Sequence, residues 1–143
     1  MSDQIQEVVR GCWEVANSHD ASGFKDYYRK DVVYHGGAEE IKGVENVTAY
    51  LQGYLTAFPD MKLTIEDIFS HGDKVFSRVR AEGTNTGELM GMPPTGRRVD
   101  LRWIMNEARV ANGRIVEEWE VLDELEMMRQ LGLAEAPAAS QTA

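Results

Sequence analysis

The apolar residues of this chain follow one spacing up to Pro59 and another after it, and this change of period limits the fold more than any other feature. Ile5, Val8, Val9, Cys12, Val15 and Ala16 recur every three or four residues, which predicts a helix from about Asp3 to Ser18. Phe24, Tyr27 and Tyr28 suggest a short second helix, with Ser22 as its cap. Val32–His35 reads as a short strand. Val44, Val47, Leu51, Tyr54, Leu55 and Phe58 form a helical stripe that Pro59 ends. Beyond it, Met61, Leu63 and Ile65 alternate with polar residues, the pattern of a half-buried strand. His71-Gly72-Asp73 is a turn, Val75–Thr86 a long strand, and Gly87–Arg98 a loop rich in Gly and Pro. Val99–Val110 and Arg114–Leu122 follow as strands joined by Ala111-Asn112-Gly113. Asp123 can cap a last helix through Leu131, with Gly132 as its stop. Helices followed by a run of antiparallel strands imply an α+β fold. A strongly curved sheet wrapped around the helices makes a cone with an internal pocket at its open end.

The 143 residues suit a single domain, expected over 1–133, with a disordered Ala-rich tail over 134–143. No run approaches the roughly 20 apolar residues of a membrane span, and MSDQIQEVVR lacks the regions of a signal peptide. A cytoplasmic protein is expected. The net charge is −9, and the one basic cluster is Arg97–Arg98, which argues against nucleic acid or an anionic membrane as partner. The single cysteine, Cys12, allows no internal disulfide and is expected to pack in the core. His19, His35 and His71 are too dispersed to form metal-ligand spacing. Neither a phosphate loop nor a Ser-His-Asp arrangement is present. No cofactor or metal is expected.

The last hairpin carries the candidate chemistry. A two-residue loop would mix polar and apolar residues on both faces. A three-residue loop, Ala111–Gly113, sorts them. Trp103 then faces Val121 and Met105 faces Trp119, with Leu101 and Ile115 on the same apolar face. The other face pairs Asn106 with Glu118 and Ile104 with Glu120, flanked by Arg102, Ala108 and Val116. Glu118 and Glu120 would then lie about 6–7 Å apart on one face. In a closed pocket, burial and like charge would raise at least one of the two pKa values, which suits proton transfer. On an open face they would be solvated glutamates, with Arg102 as ion-pair partner.

Three segments bear a family likeness. GTNTGELMGMPPTGRRV (83–99) resembles the signature segment of the SnoaL-like polyketide cyclases. AFPDM (57–61) is similar to that family's helix-to-strand junction, and NGRIVEEWEVLDELEMMRQLGL (112–133) to its closing hairpin and helix. The resemblance spans about Gln4 to Leu133. It implies a cone-shaped α+β barrel, often dimeric, and a founding activity of ring closure by intramolecular aldol condensation without cofactor or metal. It also implies pocket-facing residues in an EHWD-like context on the last strand. Here the matching segment is Glu117-Glu118-Trp119-Glu120, so Glu118 stands in place of a histidine and Glu120 in place of the acid/base aspartate. Asn106 and Asn85 stand where histidines are found in the family. Some members are assigned hydroxylation.

Together these readings lead to an enzyme acting on a hydrophobic, polyketide-like carbonyl compound. Glu120 would be the base, with Asn106, Glu118 and His35 in support. Tyr54, Phe58, Ile104 and Arg102 are candidate substrate contacts, and Met90 and Met92 a candidate apolar lid over the pocket mouth. The alternatives are a cofactor-independent hydroxylase and a non-catalytic binder of hydrophobic ligands. The apolar hairpin face of Trp103, Met105 and Trp119 must be covered, which predicts a homodimer.

Overall fold

The computed structural model of the chain describes residues 2–135; residues 136–143, most of the expected disordered tail, lie outside the described residues. In chain order the elements are α1 (Ser2–Ser18), a 3-10 turn (Ala21–Asp26), β1 (Tyr28–Gly36), β2 (Glu39–Lys42), α2 (Val44–Ala57), β3 (Lys62–His71), β4 (Lys74–Thr84), β5 (Arg98–Ala111), β6 (Arg114–Leu122) and α3 (Glu124–Gln130).

The apolar stripe of α1 buries Val9 and Cys12. Asn17 ties the end of this helix to β3. Its amide donates to the Leu63 carbonyl at 2.9 Å and accepts from the Leu63 N–H at 2.7 Å. The expected second helix is only a 3-10 turn. Its cap is Asp20, which accepts from the Ser22 N–H, and Ser22 itself donates to Asp20. Tyr28 belongs to β1, which starts four residues before the expected Val32. No alternation announces that start, because Arg29, Lys30 and Asp31 are all exposed. The EEIK strand β2 was not expected, since it carries one apolar residue; pairing with β1 creates it.

The strand order is β2-β1-β6-β5-β4-β3. The expected wholly antiparallel sheet is corrected at one seam, where β1 runs parallel to β6, with Tyr34 beside Glu118 and Gly36 beside Glu120. The sheet is curved and unclosed. Its bend has identifiable sources: Glu66 in β3, the Arg102–Trp103 step in β5 and Val116 in β6 are extra residues opposite their partner strands. Each such bulge bends its strand and adds twist.

The β5–β6 turn also differs from expectation. It has two residues, Asn112 and Gly113, both with positive φ (51° and 76°), and Ala111 pairs with Arg114. The Val116 bulge then shifts the register, so that Asn106 lies opposite Glu120 and Met105 opposite Val121. These pairs differ from the expected ones by two residues. An even shift leaves each side chain on its face, so Asn106, Glu118 and Glu120 still share one. The bulges do exchange three residues. Leu101 and Ile115 turn into the core, and Arg102 turns out to solvent.

The helices pack into the concave side of the sheet. One apolar cluster, around Val9, Phe24, Tyr28, Tyr34 and Ile115, sits under α1 and β1. A second, around Phe58, Leu101, Ile104, Met127 and Leu131, sits under the ends of α2 and α3. Trp13, Ala16 and Met61 touch both.

Candidate active site

A cavity of about 100 Å³ lies between the two clusters. Its lining is mostly apolar and aromatic, including Trp13, Phe24, Tyr54, Phe58 and Ile104, with Glu118 and Glu120 reaching in from β6. The parallel seam places β1 beside these carboxylates, and β5 flanks them on the other side.

Asn106 bridges the pair. Its Nδ2 donates to Glu118 Oε2 at 3.0 Å and to Glu120 Oε1 at 3.0 Å. The remaining carboxylate oxygens each accept a phenol. Tyr28 donates to Glu118 Oε1 at 2.5 Å, and Tyr34 donates to Glu120 Oε2 at 2.6 Å. Tyr28, Tyr34, Asn106 and Glu118 are buried, while Glu120 is half-buried. Asn106 Oδ1 is also buried and has no partner among the described residues. The amide therefore serves the site as a donor alone.

Burial, and then the charge of Glu120, push the Glu118 carboxyl up to about 7, against the pull of the Tyr28 and Asn106 donors. Burial raises Glu120 as well, opposed by Tyr34 and Asn106. Such a pair titrates as a unit. In its singly protonated form the pair holds one proton and one negative charge, which are the acid and the base of a proton-transfer reaction. Burial also raises the Tyr28 and Tyr34 phenols, so both stay neutral donors.

Among the residues singled out from sequence, Glu118, Glu120, Tyr54, Phe58 and Ile104 meet at the cavity, and Asn106 joins them through the carboxylates. The other four do not. His35 follows the inward Tyr34 on β1 and so points to the outer face. There its Nε2 lies 2.8 Å from Glu117 Oε2 and its ring stacks on Trp119 at 5.3 Å. That imidazole, with Arg109, holds Glu117 below the usual carboxylate range. Arg102 is exposed at the β5 bulge. Met90 is 61% exposed at the tip of the 87–98 loop, and Met92 packs against the second cluster. Neither lines the cavity. The loop is held instead by Asn85. Its amide donates to the carbonyls of Ala57 (3.2 Å) and Gly87 (2.8 Å) and accepts from the N–H (2.8 Å) and hydroxyl (3.0 Å) of Thr95.

Tyr28 and Tyr34 were missed. They are six residues apart on β1, but the pairing with β6 shifts register between Tyr28 and Val33, so no regular alternation marks them as sharing a face. Among the described residues no group of three or more His, Cys, Asp or Glu side chains is arranged to hold a metal ion. No helix there is long and apolar enough to cross a membrane.

Residues 6–131 match the family described as SnoaL-like polyketide cyclase. The chain is 29% identical over 137 residues to the aklanonic acid methyl ester cyclase DnrD of Streptomyces peucetius, covering 92% of each. It is 36% identical to IdmH, a candidate polyketide cyclase from Streptomyces antibioticus. That match covers 90% of this chain and 99% of IdmH, with a TM-score of 0.76. AclR, a candidate hydroxylase from Streptomyces galilaeus, is 26% identical, with 99% of this chain and 90% of AclR covered and a TM-score of 0.86.

Proposed function

Since the chain belongs to the SnoaL-like polyketide cyclase family, we propose that it closes a ring in a hydrophobic polyketide-like carbonyl compound by acid/base chemistry. The observation that carries this reading is the Asn106 amide bonded to both carboxylates of the pair, at 3.0 Å each. Glu120, the half-buried member, takes a proton from a carbon beside a carbonyl. The enolate carbon attacks a second carbonyl of the same molecule. The protonated Glu118 then gives its proton to the alkoxide oxygen. Proton return from Glu120 to Glu118 restores the pair. No atom is gained or lost, so the step is an isomerisation that needs no cofactor. The cavity of about 100 Å³ is small against the roughly 300–1,000 Å³ of ligand sites. The substrate therefore presents one edge to the carboxylates, with its other rings beyond the enclosed space.

Planar hydroxylated anthraquinones test the site. Trp13 lines the cavity, so its fluorescence should saturate on binding. Glu120→Gln should weaken that binding and reduce turnover of a ring-closing substrate by a factor of about 10²–10⁴. Full turnover in this variant would overturn the assignment. The likeness to AclR favours a second reading, hydroxylation, which oxygen uptake coupled to turnover would separate from cyclisation.

The outer sheet face supports a homodimer. Phe69, Trp103, Met105 and Val121 are all 46–62% exposed there, and Phe69, Met105 and Val121 line a groove of about 620 Å³. A second copy of the chain is the proposed cover. One domain over 1–133 and a cytoplasmic location complete the reading, the latter supported by the single unpaired thiol.

A further inference from the structure

A multi-ring substrate, on the ring-closing reading that this inference takes as its premise, does not fit a cavity of about 100 Å³, so one wall must move to admit it. The sheet, α1 and α2 are each fixed. The sheet is held by its strand ladders. α1 is tied along its length: Gln6 donates to the Ser70 hydroxyl at 2.9 Å, Trp13 donates to the Ser77 hydroxyl at 3.2 Å, and Asn17 clasps Leu63. α2 is anchored at both ends, by the Gly43 N–H on the Val32 carbonyl at 2.7 Å and by the Gly87 N–H on the Ala57 carbonyl at 3.2 Å. The remaining wall is α3. It has seven residues, too few for a stable helix without packing. Met127 and Leu131 hold it by packing in one cluster with Val99 and Leu101 of β5, and Met127 also lines the cavity.

One side chain latches α3 to the sheet. The ladder between β5 and β6 ends at Ile104 and Leu122, so β5 from Arg98 to Trp103 has no strand on that side. Gln130 takes the place of a strand at Asp100. Its Oε1 accepts from the Asp100 N–H at 2.7 Å, and its Nε2 donates to the Asp100 carbonyl at 3.0 Å. The Asp100 half of this latch is fixed, because the Arg80 guanidinium grips its carboxylate at 2.9 and 2.6 Å. The Gln130 half belongs to no ladder. Its Nε2 also donates to Glu126 Oε2 at 2.7 Å, within α3 itself. Release of the two bonds to Asp100 therefore frees the helix as a unit, with its Asp123 cap intact. We propose that α3 is the gate of the cavity, that Gln130 is its latch, and that Met127 is the side chain whose withdrawal admits a multi-ring substrate. The opening lies between α2 and α3, whose Tyr54 and Met127 line the same cavity as Glu120. Gln130 is a positioning residue, since it touches no substrate.

Cys12 makes the gate measurable without a substrate. It is the single cysteine of the chain, it is buried, and it lines the same cavity. Methyl methanethiosulfonate, a small uncharged thiol reagent, must enter the cavity to label it. In the full chain the labelling rate should stay flat through low urea, because the opening of one short helix exposes little surface. Gln130→Leu removes both latch bonds and keeps the bulk of the side chain. It should raise Cys12 labelling about tenfold, with a matching rise in hydrogen exchange at the Met127 and Leu131 amides of the helix, the effect of two lost hydrogen bonds. Labelling that climbs with urea as steeply as global unfolding overturns the proposal, since the thiol would then be reached only by unfolding. So does labelling that Gln130→Leu leaves unchanged. Gln130→Asn, one methylene too short to reach both groups of Asp100, repeats the test if the leucine variant does not fold. Neither measurement uses a polyketide or turnover. A chain that gates Cys12 yet binds no anthraquinone keeps the gate and loses the ring-closing reading.

Discussion

Glu118 is a carboxylate held in an environment far from the one its side chain prefers in water. Its folded carboxyl is raised from 4.5 to about 7 by burial and by Glu120. The sign of the stability effect follows. The protonated carboxyl fits the folded site, so its contribution is complete below pH 4.5. That contribution is lost as pH rises through 7, where folding must bury a charge. Glu118→Gln, a neutral group of the same shape, should therefore stabilise the protein by about 2–3 kcal/mol at pH 8. It should leave stability unchanged near pH 4.5; urea denaturation at the two pH values measures the difference. The same titration sets an activity limit. Ring closure should fall as pH rises through about 7, when Glu118 loses its proton. A rate that climbs steadily from pH 6 to 9 would exclude Glu118 as the acid. The sequence pattern gathered the two glutamates and Asn106 on one face, but their phenol partners depend on a strand start that no local alternation marks.

At the scale of the element, the 87–98 loop takes its order from one buried side chain. Asn85 is 1% exposed and makes four side-chain hydrogen bonds that tie the end of α2 to Thr95. Gly87 passes so close to α2 that an added Cβ would lie 1.9 Å from the Thr56 carbonyl oxygen. Asn85→Ala would remove the side-chain partner of the Gly87 carbonyl and of the Thr95 N–H, while the Ala57 carbonyl keeps the Gly87 N–H, and should cost about 1–3 kcal/mol, read as a lower urea midpoint. Wild-type stability in that variant would mean that the loop does not depend on the clamp. Sequence alone marked this stretch as a loop, and the resemblance marked Asn85 as a histidine replaced. That the asparagine is a structural clamp follows from the approach of α2, far away in sequence. The same holds for β5 and β6. Their alternation was readable, but not the bulges at Arg102–Trp103 and Val116 that reverse Arg102, Leu101 and Ile115.

At the scale of the whole molecule, the bulged and unclosed sheet has two unlike faces. The concave face wraps the helices and the carboxylate pair. The outer face carries Phe69, Trp103, Met105 and Val121, which nothing else in the described chain covers. A second copy meeting this face should give a dimer in sedimentation. Trp103→Glu should shift it to monomer while leaving the carboxylate titration intact, because the side chain lies outside the cavity. A wild-type chain that sediments as a monomer at high concentration would end the dimer reading.

The amino-acid sequence by itself determined what short-range pattern can encode. It set the helical stripes, the switch to alternation after Pro59, the α+β class and the company of Asn106, Glu118 and Glu120 on one face. The last of these survived a wrong turn length, because an error of two residues preserves the side on which a strand's side chains point. Tertiary structure decided what depends on long-range approach. The parallel seam brought Tyr28 and Tyr34 to the carboxylates across roughly 90 residues of chain. The bulges sent Arg102 outward, and the neighbouring strand turned His35 to Glu117 instead of the cavity. The raised carboxyl of Glu118 belongs to this second group. Its cause is burial by α1, β1 and β5 together, and no segment of the chain carries that environment alone.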